Sequence, residues 1–255
     1  VIFRMNPTKL RPRLHAWGAA LVLAAACVLC SLSVIAIQPG PLGETLAMFW
    51  SDKVLFLLNG FTECVEMLLC WCAVGNVFTA VGLGGLIVNL MSYVNLVKTD
   101  CRNDPFVPDD FQLLREAMNA ASEYTLDLHW GILIAILLGA AACFVLGRFV
   151  KSPRPRWYVR VGAALVLLGG FCWSVPNVYQ KAGFYDRRGS GMSKTNVAEV
   201  FRLCGFPYCF LHNYNLYSVE KPAGYDSAEM QALAAADENV SAAPAVRPNV
   251  IFVMC

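Results

Sequence analysis

Apolar residues in this chain arrive in blocks about twenty long, separated by short polar stretches. A helix rises ~1.5 Å per residue, so about 20 apolar residues cross a hydrocarbon layer roughly 30 Å thick. Five blocks meet that length. Trp17 to Ile37 holds no charged residue, and Val54 to Val74 is apolar apart from Glu63 and Glu66. Asn76 to Val97 is uncharged, with Gly82, Gly84 and Gly85 in its middle. The fourth block, Trp130 to Val150, is uncharged as far as Gly147, and the fifth, Trp157 to Pro176, carries only Arg160 near its start. Over 255 residues the chain is 57% hydrophobic and 15% charged, against about 25% charged in a soluble domain. A soluble enzyme with one core is excluded. The 20 basic and 18 acidic residues leave a net +2, too balanced to favour a nucleic-acid partner.

All six tryptophans (Trp17, Trp50, Trp71, Trp130, Trp157 and Trp173) lie at or just outside a block end. Indoles prefer the headgroup level, where the ring is half buried and the N–H stays wet. The basic residues then set the orientation. Arg4, Lys9, Arg11 and Arg13 precede the first span, while Arg148, Lys151, Arg154, Arg156 and Arg160 cluster between the fourth and fifth. Five spans put both groups on one side. The amino terminus is expected in the cytoplasm and everything after Pro176 outside, in a multi-pass cell-membrane protein. At ~21 residues the first block exceeds the 7–15 of a cleavable signal core, so it reads as a retained anchor.

The organisation expected is therefore a five-span domain over 1–176 (spans about 17–37, 54–74, 76–97, 130–150 and 157–176), followed by an outer arm and linker over 177–246. Gln38 to Lys53 reads as a short outer loop, and Ala228 to Ala245 as an Ala-rich linker. Composition then changes at Arg247-Pro248-Asn249, which leads into Val250-Ile251-Phe252-Val253-Met254. A β-rich run after a turn reads as the buried first strand of an α/β domain. Residues 247–255 are expected to begin a domain that the chain does not complete.

Most of the 11 cysteines lie inside spans, where a thiol packs as a small hydrophobe. Cys27 and Cys30 have CxxC spacing but no metal partners in a lipid-embedded helix. Cys204 and Cys209 face outside, and whether they pair is open. The small glycines of the third span allow close helix approach. Glu63 and Glu66 stand at i, i+3 on one helix face, Glu63 ~14 Å below the start of its span at helical rise. Carboxylates at such depth are costly and tend to face a bundle interior or wet cavity. One reading is a contact for a cation, proton or headgroup. The other is a shallower helix with both acids near the outer interface.

Residues 95–110 read Asn-Leu-Val-Lys-Thr-Asp-Cys-Arg-Asn-Asp-Pro-Phe-Val-Pro-Asp-Asp. Two prolines flanked by aspartates make a rigid acidic turn. Asp109 or Asp110 can then N-cap a helix over about 109–124, whose stripe Phe111, Leu114, Met118 and Ala121 suits an interfacial helix. Lys98 and Arg102 are placed to meet lipid phosphate, with the alternative that Arg102 pairs with Asp104.

At this turn the chain resembles a known family. Asn95, Lys98, Arg102, Asp104, Pro105, Pro108 and Asp110 match the N-x-x-K-x-x-x-R-G-D-P-x-x-P-x-D pattern of the lipoteichoic acid synthases, phosphoglycerol transferases of the sulfatase-like superfamily. Asn177 to Phe184, Gly205-Phe206, Lys221 to Tyr225 and Arg247 to Ile251 occur in the family's order. One departure is Asn103 in place of Gly, and Asn tolerates the left-handed region better than most residues. The resemblance implies an all-α membrane protein: five transmembrane helices plus interfacial and juxtamembrane helices, ending in the first strand of an α/β catalytic domain. It implies that the parent protein moves glycerol phosphate from phosphatidylglycerol onto a cell-envelope polymer through a phosphothreonine, supported by manganese. The metal-binding Glu would come directly after Cys255 and the nucleophilic Thr would lie further on. No catalytic residue, metal ligand or cofactor is therefore assigned within this chain. Its partners would be phosphatidylglycerol and its own catalytic domain, with Lys98, Arg102, Asp104 and Asp110 as a headgroup or interdomain platform. The alternatives are the anchor of another sulfatase-superfamily head, such as a phosphoethanolamine transferase, and a transporter-like module built on Glu63 and Glu66.

Overall fold

A computed structural model describes residues 14–113, 128–181, 197–214 and 226–238. Two units divide the chain, 1–216 and 217–255. The described part of the second is one helix, Ser227–Glu238, and the membrane-spanning helices all belong to the first. The amino-terminal basic residues, most of the interfacial helix and the terminal strand lie outside the described residues.

Among the described residues, five helices are long and apolar enough to cross a membrane. They are α1 (Ala16–Ile37), α3 (Lys53–Val74), α4 (Val77–Arg102), α5 (Trp130–Phe149) and α6 (Trp157–Ser174), with α2 (Leu42–Ser51) between the first two. The chain is an all-α, multi-pass protein. Helix ends follow local chemistry. Asp52 caps α3 by accepting from Leu55 N at 3.1 Å, and Asn76 caps α4 by accepting from Thr79 N at 3.1 Å. Between them Gly75 takes φ 73°, the left-handed C-cap that makes a tight helical hairpin possible. Pro176 cannot donate an amide hydrogen, and α6 passes at that point into a π turn, Val175–Tyr179.

Helix α4 is central, packing against α1, α3 and α5, while α3 also carries α6. Two glycines make this possible. A Cβ on Gly82 would sit 2.9 Å from Cys143 Cβ on α5, and one on Gly84 would sit 3.0 Å from Met67 Cγ on α3. Gly85 meets nothing within 4 Å, so only two of the three are needed for close approach. Helices α5 and α6 leave Ile134, Leu138, Leu165 and Val166 exposed along their length, as lipid-facing surfaces do.

At the short-loop end, polar groups stitch the helix termini together. Leu14 N donates to Lys151 O at 2.8 Å, and Val77 N donates to Ser152 Oγ at 3.1 Å. Arg160 Nε donates to Cys72 O at 2.7 Å and its Nη2 to Ala73 O, neutralising the open carbonyls that end α3. At the other end lie α2 and the helices α7 (Val197–Cys204) and α8 (Phe206–His212).

Two expectations change. The stretch after Ile37 is not a loop but mostly helix α2. Pro39, Gly40 and Pro41 break the chain only briefly, after which Thr45 and Phe49, at i, i+4, both turn inward and are buried. Within Ala228 to Ala245, residues up to Glu238 are helical rather than an open linker, as Ala, Met, Leu, Gln and Glu favour.

Candidate functional site

The acidic turn leaves α4 at Asn103, which takes φ 51° and caps the helix by donating its amide to Thr99 O at 2.7 Å. Asn is a reasonable substitute for Gly there because αL costs it less than other side chains. Helix α4 outlasts the apolar block ending at Val97, so Lys98 projects from its last turn back over the turn beyond it. Its Nζ lies 2.8 Å from Asp104 Oδ2 and 2.8 Å from Asp110 Oδ2, and donates to Pro105 O at 2.8 Å. One ammonium thus uses its three donors on three fixed acceptors. Asp110 also accepts from Val107 N at 2.8 Å, and Asn95 Oδ1 accepts from Phe106 N at 2.9 Å. Pro108–Phe111 closes as a 3-10 turn.

This arrangement differs from the alternative reading of the turn. Asp104 pairs with Lys98, not Arg102, because α4 carries Arg102 past the turn while Lys98, one helical turn earlier, faces it. Arg102 is exposed and makes no ion pair among the described residues. Of the four platform residues, Lys98, Asp104 and Asp110 come together, and Arg102 stands apart. Lys98 is occupied internally; Arg102 is a cation facing outward.

The turn's apolar residue is Phe106, whose ring stacks on Phe206 and Phe210 of α8 at 6.4 and 5.7 Å between centroids. Helix α8 is in turn latched to α3 by a residue that block-level hydropathy passes over, Asn59. Its Oδ1 accepts from Tyr208 N at 3.0 Å, and its Nδ2 donates to Cys204 O at 3.0 Å and Leu55 O at 2.9 Å. Cys204 O and Tyr208 N are the orphan groups where α7 ends and α8 begins, so one amide closes the break between two helices. Gly205, φ 87°, makes the approach possible; a Cβ there would fall 2.5 Å from Asn59 Oδ1. A polar residue amid the second apolar block is the signal in the sequence. Tyr179 adds a second tie, donating to Leu58 O at 2.8 Å, and its carbonyl meets His212 Nδ1 at 2.8 Å. Cys204 and Cys209 lie in this core, 1% and 0% exposed, without a disulfide. Burial pushes the Cys209 thiol well above its ordinary range, with the neighbouring Cys204 adding to it.

Glu63 is buried and Glu66 is half-buried within the helix packing. Glu63 is 0% exposed and accepts from Ser31 Oγ of α1 at 2.6 Å. The remaining oxygens, Glu63 Oε1 and Glu66 Oε1, are buried without a hydrogen-bond partner. Both residues line a cavity of about 220 Å³ between α3, α4, α6 and α8.

Among the described residues no group of three or more His, Cys, Asp or Glu side chains is placed to hold a metal ion.

The fold and this end of it define a multi-pass membrane protein in which α8 is hydrogen-bonded to one of the spans. The chain is similar to a protein of Rhizobium meliloti (strain 1021) named as a putative cyclic beta-1,2-glucan modification protein, with 25% identity over 192 residues. The similarity covers 69% of this chain and 30% of that relative, so the chain spans well under half of the relative's length. No protein-family model matches the chain, and no solved structure matches it.

Proposed function

We propose that this chain is the membrane module of a transferase that moves glycerol phosphate from phosphatidylglycerol onto a cell-envelope polymer outside the membrane. The single observation that carries the reading is the fastening at the long-loop end. The Lys98 turn and the α7–α8 pair are packed on one another through Phe106 and tied to α3 by Asn59. Such a seat holds α8 against the ends of α3 and α4, and transfer from a lipid headgroup requires that kind of fixed placement at the membrane surface. Positioning of reactants contributes a large share of any transfer rate. Arg102, exposed at the same end and in no ion pair among the described residues, supplies a planar donor suited to a lipid phosphate.

The relative's name turns the acceptor toward a glucan rather than a growing lipoteichoic acid chain. Manganese and the phosphoryl-accepting threonine belong, on this reading, to the catalytic part of the parent protein.

The test uses the gene product that contains this chain, reconstituted with phosphatidylglycerol labelled in its headgroup glycerol and with cyclic glucan as acceptor. Label moving to glucan with matching release of diacylglycerol is the expected result. Arg102→Ala at equal membrane abundance should slow transfer. No diacylglycerol release, or release from phosphatidylethanolamine instead, refutes the proposal. Transfer unchanged in Arg102→Ala would reduce the acidic turn to a structural part.

A further inference from the structure

The cations at the short-loop end have no counterion in the chain, and the transfer proposed above makes no use of them. Nothing acidic stands before Glu44, between Glu66 and Asp100, or between Asp127 and Asp186, and these stretches supply every span terminus at that end. Arg148, Lys151 and Arg154 are exposed there and form no ion pair among the described residues. All three line a cleft of about 480 Å³ where the start of α4 and the end of α5 meet the loop into α6. Donors from neighbouring helices have already taken several acceptors along this wall. Asn76 Nδ2 donates to Gly147 O at 3.2 Å and Val150 O at 3.3 Å, Leu14 N to Lys151 O at 2.8 Å, and Val77 N to Ser152 Oγ at 3.1 Å. What remains is mostly donors: two guanidiniums, one ammonium, and the Ser152 hydroxyl hydrogen, which meets no acceptor among the described residues.

We propose that this cleft holds the headgroup phosphate of an anionic phospholipid in the leaflet at that end. The oxygens of an ionised phosphodiester only accept, so they suit a wall of donors, and one guanidinium can meet two of them at once. Basic side chains clustered at a membrane surface attract anionic lipid, each by about fivefold in affinity. A zwitterionic headgroup brings its own cation into a cleft that already has three, and gains little. A soluble phosphate ester offers the same oxygens, and position decides between the two. The loop joins two spans, and Phe149 and Trp157, which are 62% and 73% exposed, flank it. An indole sits at the headgroup level, so acyl chains can lie against the helices while the phosphate enters the cleft. The space falls within the ~300–1,000 Å³ of ordinary ligand sites, enough for one headgroup. Cations that served only to orient the spans would need no cleft and would show no preference among headgroups.

The experiment is photocrosslinking of the full chain in nanodiscs of phosphatidylcholine containing a known minority of phosphatidylglycerol, with p-benzoylphenylalanine in place of Phe149. Lipid adducts on that peptide are counted by mass spectrometry against the bulk lipid ratio. Phosphatidylglycerol should be enriched about fivefold or more over its bulk share. Arg148→Gln/Lys151→Gln/Arg154→Gln should return the ratio to bulk. Pro153→Trp, which fills the cleft and keeps every charge, should do the same, so the test survives misinsertion of the triple variant. Arg156→Gln removes a loop cation that donates to Tyr158 Oη instead, and should stay within about twofold of the unaltered protein. Inorganic phosphate added at constant ionic strength separates the sources: an unchanged ratio supports the lipid, whereas a ratio returned to bulk shows a soluble-anion site and overturns the proposal. No enrichment in the unaltered chain, full enrichment in either folded variant, or as large a loss in Arg156→Gln as in the triple variant also overturns it. Transfer activity is not read, so the outcome is independent of the function proposed above.

Discussion

Asn59 offers the sharpest perturbation. Replacing it with Leu keeps a side chain of similar size in α3 and removes the amide that serves Tyr208 N, Cys204 O and Leu55 O. Leu55 O keeps its place within the helix, so two groups, Tyr208 N and Cys204 O, lose a partner at a site where Asn59 is only 5% exposed. An unsatisfied buried polar group costs about 1–3 kcal/mol, which puts the loss for the two at roughly 2–6 kcal/mol for the docking of α8. Cys204 and Cys209 report it, because both thiols are buried while the helix is docked. In the regime where opening is fast relative to chemistry, labelling tracks the open population. A change of ~2 kcal/mol then raises the rate about 30-fold. The assay is alkylation of the purified protein in nanodiscs, read by mass spectrometry on the peptide holding both thiols, with exposed Cys101 as internal standard. Gly205→Ala should act in the same direction, since it combines strain at φ 87° with a Cβ driven into Asn59. Labelling of Cys204 and Cys209 within threefold of the unaltered protein in both variants would refute the latch.

Three further outcomes come from the same geometry. Lys98→Met should lower stability by about 1–2 kcal/mol, most of it from Asp110 and the Pro105 carbonyl because Asp104 is more than half exposed; Arg102→Ala should stay within about 0.5 kcal/mol in the same denaturation series. Arg202 hydrogen-bonds Glu199 and holds its carboxyl below the ordinary 4.5. Because the folded-state value is the lower one, this contribution is present above the unfolded value and fades as pH falls through the folded one; α7 should loosen below about pH 4.5, and Glu199→Gln should flatten that part of an acid titration followed by hydrogen exchange. Gly82→Leu should separate α4 from α5, since even a Cβ would lie 2.9 Å from Cys143 Cβ, and a cross-link engineered across those helices should then form more slowly.

The spans are legible in the sequence because crossing hydrocarbon imposes a length and a composition together, and few other structures need both. Trp130 and Trp157 begin helices in the structure, as their aromatic positions suggest. Hydropathy does not convey the polar detail at helix ends. Lys98 to Arg102 look like loop in composition yet continue α4, because once a helix is running each added residue gains a hydrogen bond. Asn103 is tolerable in the left-handed region on its residue type alone, and it does adopt that conformation. The partner of Asp104 is harder to read, since sequence adjacency favours Arg102 while helical geometry brings round Lys98, one turn earlier. Asn59 escapes notice because one amide barely moves the average of a 21-residue block, although its three hydrogen bonds decide where α8 sits. Helix α8 is short and begins with Pro207 in its first turn, so its residues carry no period long enough to read. Glu63 and Glu66 share one face by spacing, but the Ser31 hydroxyl that meets Glu63 comes from another helix and is not readable from that spacing.

Five crossings carry the Lys98 turn and the α8 latch to one side of the bilayer and the Lys151 loop to the other. Accessibility in intact cells tests this directly. Gly43→Cys places a thiol on α2, where nothing lies within 4 Å of a Cβ, and Pro153→Cys places one in the loop between α5 and α6. A membrane-impermeant maleimide, read by mass spectrometry at those two peptides, should label position 43 in whole cells and position 153 only after lysis. Labelling of position 153 in intact cells, or of both positions alike, would contradict the arrangement.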